Sequence, residues 1–242
     1  MKMKKILFLF VALLATMPMQ AQIADEGIIS ITQENTFFLG AKLGGVFTSM
    51  SQPKECNLYD GMGFGLSAGV AMKIRFGLAT EESAPGTGNW GVGLELKYKQ
   101  NKVKTIGTDE SGKANADFSV NYFEMPIYAQ YYPFVASNAL NTLYVEAGVS
   151  FAGTIGCSPE SLTVLDLDGG ISGVTYWLDG NGSKLKGKDV RPLLGLGYTL
   201  PGTGLDINAR YYFSTSELAG NLPSKMNSFE VSVAWLFNVC DF

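Results

Sequence analysis

The sequence predicts an all-β fold: a closed, antiparallel, up-and-down transmembrane β-barrel of about eight strands. Apolar and polar residues alternate along most of the chain, as expected of strands whose two faces meet different surroundings. Long and short connections also alternate between these segments. Charged residues make up only 17% of the sequence and aromatic residues 12%, whereas about a quarter of a soluble domain is charged. Part of the surface is therefore predicted to face something other than water.

The C-terminal segment shows the alternation most clearly. One face carries large apolar side chains, and the other carries mostly small or polar ones. This pattern is typical of a strand with one oily and one polar side. The oily face comprises Phe229, Val231, Val233, Trp235, Phe237 and Val239, and the other face comprises Glu230, Ser232, Ala234, Leu236 and Asn238.

Seven further segments bring the predicted strands to eight. Two of them are irregular: the apolar parity shifts between Val120 and Phe123, which predicts a β-bulge, and Pro192 interrupts an apolar face, so it should lie near the rim of the barrel. Segments of about ten residues match a tilted crossing of the hydrocarbon core. The seven segments are 37–48, 63–74, 90–99, 118–134, 143–152, 190–200 and 205–214.

The connections predict which ends of the strands lie together. Long loops on one side and short turns on the other are typical of outer-membrane barrels. Connection 77–88 is an exception because it is longer than a turn on the short side should be. The longer connections are 49–60, 102–117, 156–189 and 215–228, and the shorter ones are 135–141 and 201–204.

The N-terminus has the pattern of a secretory signal peptide. Lys2, Lys4 and Lys5 precede an apolar run at 6–16, and a small, polar stretch ends near Ala21. The alternative, a transmembrane anchor, needs about 20 apolar residues. We therefore predict a signal peptide at 1–21, a short mature N-terminal segment at 22–35 and the barrel domain at 36–242.

Closure of the sheet predicts which face meets lipid. An open sheet edge would leave backbone groups without partners in hydrocarbon, so the sheet must close, with its oily face outward. An eight-stranded interior is just wide enough for side chains to fill, which argues against a channel. The residues predicted to face lipid include Trp90, Leu94, Val145, Val149, Tyr211, Phe213, Phe229, Val233, Trp235 and Phe237.

The opposite face predicts ionised groups inside the barrel. We expect them to pair in a network centred on Glu124, Glu146, Arg210 and Glu230, because an unpaired charge in a narrow lumen is costly. The alternative, charges at the rim that reach water, explains Lys99 and Arg75 equally well. The predicted inward charges are Lys42, Lys73, Arg75, Glu95, Lys97, Lys99, Glu124, Glu146, Arg191, Asp206, Arg210 and Glu230.

Composition removes several kinds of chemistry. The chain has no histidine, so a Ser-His or Cys-His catalytic arrangement is impossible. The paired carboxylates Glu124 and Glu146 are better interpreted as packing in the lumen than as an acid and a base. The net charge of −4 without a basic block predicts no nucleic-acid partner.

No cofactor and no metal site are predicted, although three questions that involve the loop 157–189 stay open. Oxygen-bearing side chains near several glycines could hold Ca²⁺, but the spacing of an EF-hand is absent. Cys56 could form a disulfide with Cys157. The loop's apolar residues could extend the strands or meet a partner. The possible calcium ligands are Asp166, Asp168, Asp179 and Asn181, and the apolar residues are Val174, Tyr176, Trp177 and Leu178.

Three features carry a family resemblance: the stretch Tyr122, Phe123, Glu124, Met125, Pro126, Ile127, the Gly-rich strand 194–198 and the terminal Phe242. With them the chain resembles the small outer-membrane β-barrel family labelled porin-like or PorT-like, similar in architecture to the OmpA transmembrane domain and OmpX. The resemblance implies that the barrel-assembly machinery recognises Phe242 during insertion.

The predicted function is that of an integral protein of the cell outer membrane with a structural or surface-interaction role and no enzymatic activity. Its expected partners are outer-membrane lipid, the assembly machinery and an unidentified surface partner bound through the loops. Two alternatives stay open. One is a porin-like channel for small solutes, and the other is a soluble periplasmic ligand-binding barrel, which requires the oily residues to face inward.

Overall fold

The structure is a computed structural model, and part of the chain is described. The predicted signal peptide, the possible calcium ligands and Cys56 lie outside the described residues. The described residues are 33–51, 59–79, 88–105, 117–135, 137, 139–159, 161–164, 174–177, 187–218 and 224–242.

The described residues form ten strands, eight of which close into a barrel. Each strand pairs antiparallel with its neighbours, in the order β1-β10-β9-β8-β5-β4-β3-β2, and the pairing of β1 with β10 completes the ring. This confirms the predicted fold class. The barrel strands are β1 (Gln33–Met50), β2 (Tyr59–Ala79), β3 (Trp90–Thr105), β4 (Asp117–Tyr131), β5 (Leu143–Ser158), β8 (Lys188–Thr199), β9 (Leu205–Tyr212) and β10 (Met226–Asp241).

The two remaining strands form a separate small sheet within the longest connection. β6 (Ser161–Val164) pairs antiparallel with β7 (Val174–Trp177). Val174, Tyr176 and Trp177 therefore belong to a separate two-stranded sheet and not to the strands of the barrel, and Leu178 lies outside the described residues.

The connections separate the barrel into two ends. The loop end is the end at which β1 leads to β2 and β9 leads to β10, and the turn end is the opposite one. At the turn end, β8 and β9 are joined through a tight turn in which Gly202 and Gly204 have φ of 74° and 70°. Residues other than glycine rarely adopt such backbone angles. No helix in the described part of the chain has the length and apolarity that a bilayer crossing requires.

The two irregular strands have physical explanations. The register between β4 and β5 shifts at Asn121/Tyr122, and the additional residue is Ile155 on β5. Within β4 the inward and outward positions keep a constant alternation. The shift in apolar parity arises because Phe118 and Val120 are apolar and yet face inward, where both are fully buried. Pro192 lies opposite Val149 in the pairing of β5 with β8, and its carbonyl accepts a hydrogen bond from the Phe213 amide at 2.9 Å. The proline has no amide to return that bond, and the ladder between β8 and β9 begins at the next residue, Leu193.

The wall of the barrel is uneven in side-chain size. The inner face of β2 carries only small residues over much of its length, whereas β3, β4, β5, β8 and β9 send arginines, lysines and tyrosines inward. The large side chains of the other strands extend across the lumen toward the small residues of β2, because tight packing needs large residues opposite small ones. The small inner residues of β2 are Gly63, Gly65, Ser67, Gly69 and Ala71.

Candidate functional site: the barrel interior

Buried charges of both signs fill the interior. Among the described residues, six buried cations and six buried carboxylates line the lumen, so their formal charges cancel. Ions removed from water are costly unless they are paired. The cations are Lys42, Lys73, Lys97, Lys99, Arg191 and Arg210, and the carboxylates are Glu95, Glu124, Glu146, Asp189, Asp206 and Glu230.

Arg210 on β9 is the centre of the first cluster. Its guanidinium donates two hydrogen bonds to Glu146, and its Nη1 lies 2.8 Å from Glu95 Oε1. Lys42 Nζ lies 2.9 Å from the same Glu95 oxygen. The Tyr128 hydroxyl donates to Glu95 at 3.0 Å. Two of the four residues predicted as the centre of the network, Glu146 and Arg210, are therefore in direct contact.

Glu124 and Glu230 belong to a second cluster, built around two lysines of β3. Lys97 Nζ lies 2.6 Å from Glu230 Oε2 and 4.0 Å from Glu95 Oε2, which links the two clusters. Lys99 Nζ lies 3.6 Å from Glu124 and 3.7 Å from Glu230. Lys99 is fully buried, so a rim position is wrong for this residue.

Asp189 closes the network at the loop end. Its carboxylate accepts hydrogen bonds from Arg191 Nε, Ser214 Oγ and the Ser216 amide at 2.7, 2.7 and 3.1 Å, and Arg191 also pairs with Glu124 at 2.7 Å. These bonds hold Ser214 and Ser216, which follow β9, against the neighbouring strand β8 at the loop end. Sequence reasoning missed Asp189 by placing it in a loop, although its spacing of two from Arg191 puts both on one face of a strand.

The turn end has a third group of polar contacts. Lys73 Nζ lies 2.8 Å from Asp206, and the Tyr144 hydroxyl donates to the same carboxylate. Arg75 is half-buried, donates to the carbonyls of Gly88 and Asn141, and lies over the Tyr132 ring. Burial raises the pKa of the Tyr132 phenol, while the Arg75 guanidinium opposes that effect.

Tyrosine rings accompany most of the buried cations. Lys99 Nζ lies 3.5 Å from the Tyr212 ring centroid, and the Arg210 guanidinium carbon lies 4.2 Å from that of Tyr128. A cation over an aromatic face is attracted by the ring quadrupole, more strongly where water is excluded. Alternation alone puts Tyr144 on the same face as Glu146, and Tyr212 on the same face as Arg210, but it gives no sign that the rings accompany cations. Further pairs are Lys73 with Tyr144, Lys97 with Tyr212 and Arg191 with Tyr122.

Glycines on neighbouring strands make room for these rings. A Cβ atom added to Gly93 would lie 2.3 Å from the Tyr128 ring, and one added to Gly197 would lie 2.3 Å from the Tyr144 hydroxyl. Gly93 is directly opposite Tyr128, and Gly197 is directly opposite Tyr144. The inner glycines therefore set where the large side chains lie.

Apolar side chains lie inside the barrel beyond the charges. At the loop end, Met50 is paired with Met226 and Val103 with Phe118, and all four are buried. Toward the turn end, Ala71, Ala234 and Leu236 pack together with Phe38. The buried charges thus have apolar neighbours in the lumen as well as tyrosines.

The outer face is apolar. Among the residues predicted to face lipid, Trp90, Trp235 and Phe237 are each 58% exposed. Leu94 and Val149 lie on the same face and are half-buried between their neighbours. Aromatic rings also pair on this face, Trp90 with Tyr131 and Trp235 with Phe237. Val145, Tyr211, Phe213, Phe229 and Val233 are exposed as well.

Comparison with solved structures finds similar chains at low identity. Neisserial surface protein A is 13% identical, with a TM-score of 0.44, over 83% of this chain and 97% of that one. OprG from Pseudomonas aeruginosa is 13% identical, with a TM-score of 0.41, over 86% of this chain and 98% of that one. Ail of Yersinia pestis is 13% identical, with a TM-score of 0.36, over 85% and 99%.

No curated protein matches the sequence. A family model described as outer membrane protein beta-barrel domain matches residues 20–219, most of the chain. A closed eight-stranded ring with an apolar exterior and an ion-paired interior has the architecture that this description names. The protein is thus an outer-membrane protein, and the chain belongs to the outer membrane protein beta-barrel domain family.

Proposed function

We propose that the protein is a non-enzymatic barrel that anchors in the outer membrane, displays its longer connections at the cell surface and does not conduct solutes. The observation that carries the proposal is the filled lumen. Salt bridges and hydrogen bonds reach across it, from Lys42 on β1 to Glu95 on β3 and from Lys73 on β2 to Asp206 on β9. A solute would have to break such pairs to pass.

The same pairing supports a non-enzymatic role. Glu124 and Glu146 are each held by a buried arginine, and an acid or base needs a pKa tuned near the working pH and a substrate within hydrogen-bond reach. The chain also lacks histidine, the residue most often used for proton transfer in catalysis.

Lipid and the assembly machinery are the proposed partners of the barrel itself. The exposed aromatic and aliphatic side chains of the outer face suit acyl chains. Phe242 is 62% exposed, while its backbone exchanges two hydrogen bonds with Asn35, each 2.9 Å. Its ring is therefore available to a protein that binds the C-terminal residue.

Planar-bilayer recording tests the closed lumen. Purified protein whose folded state is shown by heat-modifiable gel mobility is expected to give no discrete conductance steps. A known porin, reconstituted in parallel, shows that insertion would be detected. Stable nanosiemens steps from this protein would favour the porin-like alternative.

Surface labelling tests the orientation. An epitope inserted between residues 165 and 173 is expected to bind antibody on intact cells. The matched control carries the same epitope in the turn at 201–204 and is expected to bind only after the outer membrane is permeabilised. The reverse result would contradict the display of the longer connections.

A further inference from the structure

The lysines and arginines of the described residues divide by their place in the barrel. Six are buried in the lumen, and Arg75 donates to backbone carbonyls at the turn end. The remaining four are lysines at the loop end, next to buried inner residues, so alternation puts their side chains on the outer side. They are Lys102 and Lys104 on β3, Lys188 at the start of β8 and Lys225 directly before β10.

Three of these lysines lie just beyond a belt of exposed aromatic rings. Lys102 is four residues from the ring of the belt on β3, and Lys225 is four residues from the one on β10. Lys188 is paired with Gly153, two residues from the ring on β5. Aromatic belts of membrane barrels lie where the hydrocarbon meets the lipid headgroups. The rings of this belt are Tyr98, Phe123, Phe151, Phe213 and Phe229.

The distance from the belt suits contact with headgroups. A strand rises about 3.3 Å per residue and is tilted by about 40°, so four residues correspond to about 10 Å along the membrane normal. The headgroup layer beyond the hydrocarbon is about 5–8 Å thick. The flexible stem of a lysine lies along apolar surface and carries the ammonium group back to that layer.

No acid of the described chain neutralises these three lysines. Neither Lys102, Lys188 nor Lys225 forms an ion pair with a described carboxylate. Lys104 differs, because it is farther from the belt and directly opposite the exposed Asp117. Three cations are therefore available to an anionic partner at one level of the outer surface.

Their distribution around the barrel favours lipid over a soluble ligand. In the closed order of strands, β1 and β2 separate β10 from β3, β4 and β5 separate β3 from β8, and β9 separates β8 from β10. A small soluble ligand cannot contact cations on three sides of a cylinder, whereas the lipids that surround it can. At the turn end, no lysine or arginine of the described chain is on the outer side.

We propose that Lys102, Lys188 and Lys225 bind the phosphate groups of lipids in the leaflet on the loop side. Each ammonium group offers three hydrogen-bond donors and a positive charge to a phosphate. The inference rests on the proposed function and deepens it, because it names the lipid chemistry that holds the barrel at its depth in the membrane.

The test compares two kinds of vesicle. One is dilauroyl phosphatidylcholine alone, and the other also contains dilauroyl phosphatidate, whose phosphate is a monoester. The variant with Lys102→Gln, Lys188→Gln and Lys225→Gln keeps the polar side chains without their charge. Anionic lipid should raise the folding equilibrium constant of the unmodified protein about a hundredfold more than that of the variant, about fivefold for each lysine. Equal increases would overturn the proposal.

Two controls restrict the interpretation. Lys104→Gln should lose much less of the lipid effect than Lys102→Gln, and equal losses would indicate general attraction to a positive surface and overturn the assignment. Inorganic phosphate, added to phosphatidylcholine vesicles at matched ionic strength, should not reproduce the effect of phosphatidate. If it does, lipid is the wrong source of the phosphate.

Insertion is measured in the same samples by heat-modifiable gel mobility, so the two proposals can fail separately. Protein that inserts equally well into both vesicles without a difference in stability would overturn the lipid contacts and leave the membrane anchor standing. Protein that inserts into neither would overturn both. Solid-state nuclear magnetic resonance gives a second readout: dipolar coupling between lipid phosphorus and lysine Nζ should be present in the unmodified protein and lost in the triple variant, and its absence would contradict direct contact.

Discussion

At the scale of single residues, the interior is governed by the cost of burying charge. Glu146 accepts two hydrogen bonds from Arg210 and one from Asn208, so its oxygens have partners that replace water. A buried pair of this kind does not necessarily add stability over an apolar core, but removal of one partner leaves the other unpaired.

Removal of the Glu146 carboxylate should therefore destabilise the fold. We expect Glu146→Ala to lower the free energy of unfolding by about 3–5 kcal/mol, because Arg210 loses its bidentate partner in a dry environment. Urea titration in lipid vesicles, followed by tryptophan fluorescence, measures the change.

The control is Asp117→Ala, since Asp117 is exposed at the start of β4 and should contribute within about 0.5 kcal/mol. The double variant Glu146→Leu with Arg210→Met should be more stable than Glu146→Ala alone. Equal losses for Glu146→Ala and Asp117→Ala would contradict the importance of the buried pair.

The sequence could predict which side a residue faces, but not which partner it meets. Parity alone places Glu124, Glu146, Arg210 and Glu230 on the inner side. Their division into two clusters depends on the stagger of the strands around the ring, which no local pattern encodes. Lys97 belongs to both clusters for the same reason: it is on β3, yet it bonds to a residue of β10.

At the scale of elements, neighbouring strands are matched by side-chain size. Gly93 lies opposite Tyr128, whose hydroxyl bonds to Glu95. A glycine beside a large ring is a recurrent device in sheets, because the ring covers the bare backbone.

Introduction of a methyl group at Gly93 tests this match. The new Cβ would meet the Tyr128 ring at 2.3 Å, so we expect Gly93→Ala to cost about 1–3 kcal/mol, the usual range for overpacking. Gly153→Ala is the control, because its Cβ would find only ordinary contact at 3.8 Å. Equilibrium unfolding compares the two, and a tolerant Gly93→Ala would show that the ring is free to move.

The sequence predicted the position of the irregularity in β4 but not its cause. The shift in apolar parity near Val120 coincides with the register shift at Asn121/Tyr122. Two separate features lie at this position. The neighbouring strand β5 has an additional residue, Ile155, and β4 has apolar residues on its inner side. A single strand's pattern cannot distinguish a bulge from an apolar lumen residue.

At the scale of the whole molecule, the apolar exterior fixes the environment. Val233 lies in the middle of the outer apolar stretch of β10 and is 43% exposed. We expect each outer residue of this kind to contact acyl chains when the barrel is in the membrane.

A charge at this position should be costly in proportion to its depth. We expect Val233→Arg to lower the free energy of unfolding in bilayers by about 2–4 kcal/mol, the range for arginine near the midplane. Ala139→Arg, in the exposed connection between β4 and β5, is the control and should have little effect. Reversible unfolding in lipid vesicles gives both values, and equal values would place Val233 outside the hydrocarbon.

The overall architecture was the most predictable part of the molecule. Closure follows from the chemistry of the solvent: strands that are oily on one face and polar on the other have no stable open arrangement in hydrocarbon. The separate sheet of β6 and β7 was less predictable, because four-residue strands carry too short a pattern to reveal a partner.

The seam between β1 and β10 joins the two extremes of the ring in sequence. Asn35 and Phe242 exchange backbone hydrogen bonds at one end of this seam, and β1 and β10 pair along its whole length. A chain that lacks β10 cannot close the ring, and its sheet keeps two unpaired strand edges. We therefore expect closure to be a late step that brings the two extremes of the described chain together across a large loop-closure barrier.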